Sequence, residues 1–336
     1  MHDAAHRHAS FGDFRLESGE VIHDFRLSYV THGALNDARD NAILVTVSLT
    51  GNHHRLDFLI GPGKALDTDR YFVVCVDPIG NGLTTSPSNS ARQPGMAFPR
   101  FGLRDMVASQ LRLLHGEMGL TALAAIVGAS MGGMQALQWG VSHPGFARRL
   151  VAMTPMARAA PCAVAVVETA RRALMADPAW NGSGFDGYPE RGWRAWSGVM
   201  SVLAGRTPAA LHEMFDEPLD VLAWMDKLTA DNRAHGFDAT DWLYQSWAYQ
   251  AHDVGTTPGF DGDTKAALDS IRVPTLILAP PLDVFNPVQS AREAAASIPD
   301  ATFTEIPSLQ GHQAAATASP SDGVFLNTRI AQFLGA

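Results

Sequence analysis

One short stretch constrains this chain more than any other: Leu123-Ala124-Ala125-Ile126-Val127-Gly128-Ala129-Ser130-Met131-Gly132-Gly133-Met134. An apolar run with β-branched residues ends at a serine set between glycines. A helical pattern follows at once in Met134, Leu137, Gln138 and Trp139. Gly-x-Ser-x-Gly between a buried strand and a helix marks a tight turn, a nucleophile elbow, whose serine hydroxyl projects from the sheet. The residues two before and two after must be small, or strand and helix collide. The alternative is an ordinary glycine-rich turn. It loses ground if an acid and then a histidine follow at the ends of later strands.

The rest of the chain supplies the sheet that such a turn needs. Residues 11–33 alternate as a β-hairpin about Ser18-Gly19-Glu20. Residues 42–49 and 71–76 are short, nearly all-apolar strands of the kind covered on both faces. The loop Asp77-Pro78-Ile79-Gly80-Asn81-Gly82-Leu83 is glycine-rich but lacks the spacing of a phosphate cradle, and reads as structural. Residues 103–118 follow a helical period, and residues 150–153 form a strand. Strand and helix in alternation mean an α/β fold with a mostly parallel central sheet and helices on both faces. From about residue 155 to 262 helical patterns dominate, and every tryptophan but Trp139 falls there. We read this stretch as a helical cap inserted into a core domain of residues 1–154 and 263–336. Most of its tryptophans glue cap to core, and one or two line an apolar pocket. The sheet resumes at residues 273–279 and closes at 302–306, before a terminal helix.

Composition bounds the partners. The net charge is −9 and no basic run occurs, so nucleic acid and anionic membrane surfaces are not expected partners. No apolar stretch reaches the ~18 residues of a membrane span, and the first eight residues hold no apolar leader. Cys75 lies in an expected strand and Cys162 near a helix start, so two reduced, buried thiols are expected rather than a disulfide. The expected compartment is the cytoplasm.

A serine hydroxyl is a weak nucleophile near neutral pH and needs a base, which in turn needs an orienting acid. Asp283 follows the strand at 273–279, and His312 follows the strand at 302–306 through a loop ending in Gly311. Both fall where this topology asks for them, acid before histidine. The other histidines lack such placement. His53 and His54 could start a metal site, but no third ligand at metal spacing is visible, so they read as solvated or pocket-lining, and no metal is expected. The oxyanion donors are main-chain N–H groups: that of Met131, and that of Leu49 or Thr50 after the strand at 42–49.

Gly-Ala-Ser-Met-Gly-Gly-Met-Gln-Ala-Leu-Gln-Trp at 128–139 resembles the homoserine O-acetyltransferase family of α/β-hydrolases. Ser48-Leu49-Thr50-Gly51 is similar to the family's oxyanion loop, residues 60–76 to its next strand and approach, Phe98-Pro99 with residues 103–107 to its helix before the elbow, and Gly311-His312 to its catalytic histidine. The resemblance covers most of residues 40–155 and 270–313. It implies the α/β-hydrolase fold, a helical cap that often pairs two subunits, a Ser130–His312–Asp283 triad, and oxyanion donors Leu49 and Met131.

The chain departs from the family at the substrate positions. The family typically follows the catalytic histidine with an aspartate that can hold the substrate ammonium; here Gln313 stands there. Ser197 stands where the cap arginine for the substrate carboxylate aligns, with Arg194 nearby, and Arg206-Thr207-Pro208-Ala209 replaces a Tyr-Arg-Ser run. The loop at 77–83 looks more like the branch that hydrolyses acetate esters. Candidate pocket residues are Thr50, Trp193, Arg194, Trp196 and Gln313. Replacing charge by Trp and Ser favours a neutral alcohol or ester, and the expected activity is therefore a serine carboxylic ester hydrolase acting on a small, short-acyl ester without a cofactor. The alternative is an acetyl-CoA-dependent O-acetyltransferase acting on homoserine or a related alcohol. A ligand-binding receptor that has lost the chemistry is a third class, disfavoured by the intact serine, acid and histidine.

Overall fold

The computed structural model describes residues 6–316 and 319–335; residues 1–5, read above for a leader, lie outside them. The strands are β1 (Arg7–Arg15), β2 (Val21–His32), β3 (Ala42–Thr46), β4 (Phe72–Val76), β5 (Ala125–Ala129), β6 (Leu150–Met153), β7 (Thr275–Ala279) and β8 (Ala301–Glu305). They form one sheet in the order β1-β2-β4-β3-β5-β6-β7-β8. The β1–β2 and β2–β4 pairs are antiparallel, and all the others are parallel.

Alternation within single strands builds two cores. Ala42 and Leu44 of β3 face one apolar layer, and Ile43 and Val45 face the other. Val74 and Val76 part from Val73 and Cys75 in the same way on β4. A strand that sends apolar side chains to both faces is stable only under helices on both faces, which is why these segments read as continuous apolar runs.

The helices are α1 (Leu103–Leu111), α2 (Met131–Ser142), α3 (Pro161–Met175), α4 (Glu190–Ser197), α5 (Pro208–Met214), α6 (Asp220–Ala234), α7 (Ala239–Gln250), α8 (Thr264–Asp269), α9 (Val288–Ser297) and α10 (Pro320–Gly335). α1 runs on as a wider turn over Arg112–Glu117. Between β6 and β7 the chain carries helices and turns but no named strand. No described helix is long and apolar enough to cross a membrane. The two thiols differ from expectation. Cys75 is buried in β4, but Cys162 is exposed, because it lies on the open side of the first turn of α3. Neither forms a disulfide.

Candidate active site

The elbow follows from steric limits at its glycines. A Cβ on Gly128 would lie 2.2 Å from the Gly132 carbonyl oxygen and 2.2 Å from Thr46 Oγ1. One on Gly132 would lie 2.3 Å from the Thr46 carbonyl oxygen. Strand β5, helix α2 and strand β3 thus approach too closely for any side chain. Ser130, between them, has φ 56° and ψ −124°, a backbone state that non-glycine residues rarely adopt. Its amide donates to Met153 O (2.9 Å) and to Thr154 Oγ1 (3.2 Å), which ties the turn to the end of β6.

Three residues far apart in the chain meet here. His312 Nε2 lies 2.9 Å from Ser130 Oγ, across 182 positions of sequence, and His312 Nδ1 lies 2.7 Å from Asp283 Oδ2. All three are buried. Asp283 Oδ1 accepts from the amides of Phe285 (2.9 Å) and Asn286 (2.8 Å), so both carboxylate oxygens are held. Asn286 Nδ2 donates to Thr154 O (2.7 Å) and its Oδ1 accepts from Tyr249, which links the acid loop back to the elbow's own brace. Burial and the nearby Asp283 charge push the Tyr249 phenol well above its usual pKa, so it stays a proton donor. The Phe285 ring stands edge-on to His312 with centroids 4.9 Å apart. A hydroxyl, imidazole and carboxylate in this chain of contacts can generate an alkoxide-like nucleophile.

The segment expected to supply the oxyanion donors is braced by its own contacts. Met131 opens α2, so its amide has no partner within the helix. Leu49 sits in the turn after β3 and shares a cavity with Ser130. A buried polar relay holds that turn: Trp139 Nε1 donates to Gln110 Oε1 (2.7 Å), Gln110 Nε2 to Gln135 Oε1 (2.6 Å), and Gln135 Nε2 to Val47 O (3.0 Å). Ser48 Oγ reaches Ala129 O at 2.8 Å. Thr50, with φ 61°, donates its amide to Gln245 Oε1 (3.3 Å).

The cavity above Ser130 holds about 240 Å³ and is walled by Leu49, Thr50, Trp196, Phe237, Phe285 and Gln313 among others. That is below the ~300–1,000 Å³ of sites for drug-sized ligands. A larger hollow of about 710 Å³ lies between α4 and α6, but its walls hold no serine or histidine. The chemistry, rather than the volume, selects the smaller one.

Of the expected pocket residues, Thr50, Trp196 and Gln313 line the cavity, and Trp193 and Arg194 do not. Trp193 is fully buried behind Trp196, ring centroids 4.9 Å apart. Arg194 points to the outer face of α4, where it meets Asp226 at 3.6 Å. On a helix, neighbours such as residues 193 and 194 lie about 100° apart, so adjacency in sequence does not mean a shared wall. The sequence reading missed Arg55, Ser201, Asn232 and His235, all on the cavity wall. His235 is one of the histidines to which the sequence gives no such placement. Of these only Arg55, a lone cation close behind the oxyanion turn, carried a signal.

His53 corrects another expectation. It is neither solvated nor on this wall but buried, with Nδ1 2.9 Å and its amide 2.9 Å from Asp77. His54 is exposed and bonds Asp57 (2.8 Å). Burial raises the pKa of Asp77, but hydrogen bonds from His53 and Ser28 outweigh it, so the carboxyl titrates below its usual range. His6 reaches the same carboxylate at 3.4 Å. His6, His53 and Asp77 are thus the one group with metal-ligand spacing among the described residues. The third ligand was invisible in sequence because β1 and β4 bring it from elsewhere. The donor atoms are already engaged: His6 Nε2 with Ser28, and His53 Nδ1 with Asp77.

Three comparisons bear on this geometry. A family model described as the alpha/beta hydrolase fold matches residues 49–314. A homoserine O-acetyltransferase of Methanococcoides burtonii is 33% identical over 93% of this chain and 70% of its own. A probable esterase of Corynebacterium glutamicum is 33% identical over 90% of this chain and 88% of its own. The solved structure of an acetylester hydrolase from Corynebacterium glutamicum superposes with a TM-score of 0.91 at 29% identity, covering 99% of this chain and 96% of that one.

Proposed function

Because the chain belongs to the homoserine O-acetyltransferase family of α/β-hydrolase-fold enzymes, we propose that it is a serine carboxylic ester hydrolase for small esters with short, acetate-type acyl groups. Ser130 Oγ attacks the ester carbonyl carbon while His312 Nε2 takes its proton, and the carbonyl oxygen becomes an oxyanion held by the Leu49 and Met131 amides. The C–O bond to the alcohol breaks as His312 returns that proton to the leaving oxygen. Water then enters, gives a proton to His312, and attacks the acyl-enzyme. Collapse of the second oxyanion releases the acid and restores the Ser130 hydroxyl. Asp283 holds the imidazole tautomer and steadies the imidazolium. The sequence of steps needs no metal or organic cofactor.

The observation that carries hydrolysis over transfer is the cavity wall, which bears no aspartate or glutamate among the described residues. A homoserine ammonium in a closed site of this size needs a countercharge, and the Gln313 amide supplies none. The esterase likenesses lend further support. The second reading is an acetyl-CoA-dependent homoserine O-acetyltransferase. It is favoured by the names of most of the similar curated proteins, and it shares the first half-reaction. Kinetics separate the two. Turnover of 4-nitrophenyl acetate, lost in Ser130→Ala, with no homoserine-dependent CoA release, is the expected result; fast homoserine-dependent release with negligible ester turnover reverses the ranking. A pairing of two copies through the 155–262 helices is part of the proposal, supported by the exposed Leu203, Leu219 and Leu222, and sedimentation velocity tests it.

A further inference from the structure

We infer that the ester this site takes carries a carboxylate, and that Arg55 binds it. The inference rests on the hydrolase reading and names the substrate class for the same site. Arg55 lies in the loop after the oxyanion turn and lines the cavity that holds Ser130 and His312. Its Nε is sealed from solvent without an acceptor, and no described residue forms a hydrogen bond or ion pair with its guanidinium. The nearest acid in sequence, Asp57, is turned to His54. Burial alone acts on Arg55 and lowers its pKa, with no carboxylate acting against it. An arginine stays charged even so.

Arg55 is half-buried with its Nε sealed and unpaired. Leaving a partly desolvated cation unpaired costs stability, and at the wall of a cavity the partner can come from what the cavity binds. A guanidinium presents a planar fork of donors that matches a carboxylate with two parallel N–H···O bonds. Beside the triad, the other polar side chains on the wall are Ser48, Thr50, Ser201, Asn232, His235 and Gln313. No acid is among the described wall residues, which leaves Arg55 as the one permanent charge. One cation and no anion fit a substrate with a carboxylate and no ammonium. A neutral ester leaves Arg55 without a partner, and a zwitterion leaves its ammonium without one.

Three substrates test this on wild type, Arg55→Met and Arg55→Lys: 4-nitrophenyl acetate as the neutral ester, mono-4-nitrophenyl succinate with the carboxylate on the acyl half, and acetoxyacetate with it on the alcohol half. The expected result is a ratio of kcat/KM for one carboxylated ester over the neutral one that falls about 10–100-fold in Arg55→Met, mostly through KM, the range for a charge-assisted pair. Arg55→Lys should recover part of it. The arm that responds identifies the half that meets Arg55. A ratio that Arg55→Met leaves unchanged in both arms overturns the inference. Should the hydrolase reading itself fail, wild type turns over none of the three, and the inference is read from binding instead. Succinate should then slow fluorophosphonate labelling of Ser130 in wild type and not in Arg55→Met; equal protection, or none, in both overturns it.

Discussion

Ser130 shows at the scale of one residue how this site stores strain. Its φ of 56° is held by two hydrogen bonds to its amide and by glycine-only contacts on either side. Such a state costs about 1–3 kcal/mol in a non-glycine residue. Ser130→Gly should therefore be more stable than Ser130→Ala by about 1 kcal/mol, both being inactive, since glycine occupies positive φ freely. Urea midpoints of the two variants measure this, and equal midpoints would mean that the turn is unstrained. The spacing of Gly128, Ser130 and Gly132 was legible from sequence because its cause is local: three backbones meet within one turn. Trp193 and Arg194 were misplaced because the wall a helical side chain joins is set by the helix's rotation against its neighbours, which no local pattern encodes.

At the scale of elements, the helices that cover the sheet are buried to very different degrees. Helix α2 is buried over nearly its whole length, whereas α6 has no buried residue. α6 is held by exposed ion pairs, Arg233 with Glu190 and Arg194 with Asp226, and by Asn232 bonding Ser197 at 2.8 Å. Exposed pairs contribute about 0–1 kcal/mol each. Asn232 and the following His235 also wall the cavity that holds Ser130 and His312. Amides of residues 220–234 should thus exchange with deuterium well before those of α2, through local opening that also admits substrate. Protection of α6 equal to that of α2 would contradict this. Strands β3 to β7 could be read in order from their apolar runs. The role of α6 could not, because its sequence has helical form without a strong apolar face, and only its neighbours show how little it buries.

Two buried ionisable groups, Asp241 and His252, contribute in opposite senses to how the stability of the whole molecule follows pH. Desolvation, with Asp238 nearby, raises the Asp241 pKa from 3.8 to about 7, although Ser88 donates to its carboxylate. The native state then holds a proton that the unfolded chain has lost, so this contribution falls as pH rises from about 4 to about 7. Burial lowers His252 from 6.5 to about 4. Here the unfolded chain takes the proton first, and the contribution is lost as pH falls from about 6.5 to about 4. The two oppose each other in mildly acid solution. Asp241→Asn should therefore gain stability relative to wild type at about pH 8 and show a steeper acid loss between about pH 6.5 and about pH 4, as read from urea midpoints across pH. His252→Gln should flatten that acid loss. Parallel curves for wild type and both variants would remove these groups as the cause.

The amino-acid sequence alone determined the order of strands and helices, the serine turn, and the two loops that carry Asp283 and His312. Each of these rests on short-range sterics, apolar period or the rule that parallel strands deliver their loops to one edge of a sheet. Tertiary structure alone decided that an imidazole 182 positions away comes within 2.9 Å of a hydroxyl, that His6 and His53 share one buried carboxylate, and that Arg55 lines the same cavity as Ser130 without a hydrogen-bond or ion-pair partner among the described residues. Charge balance inside a cavity depends on which side chains the packed layers bring to a common wall, and that is a property of the closed fold rather than of any segment of the chain.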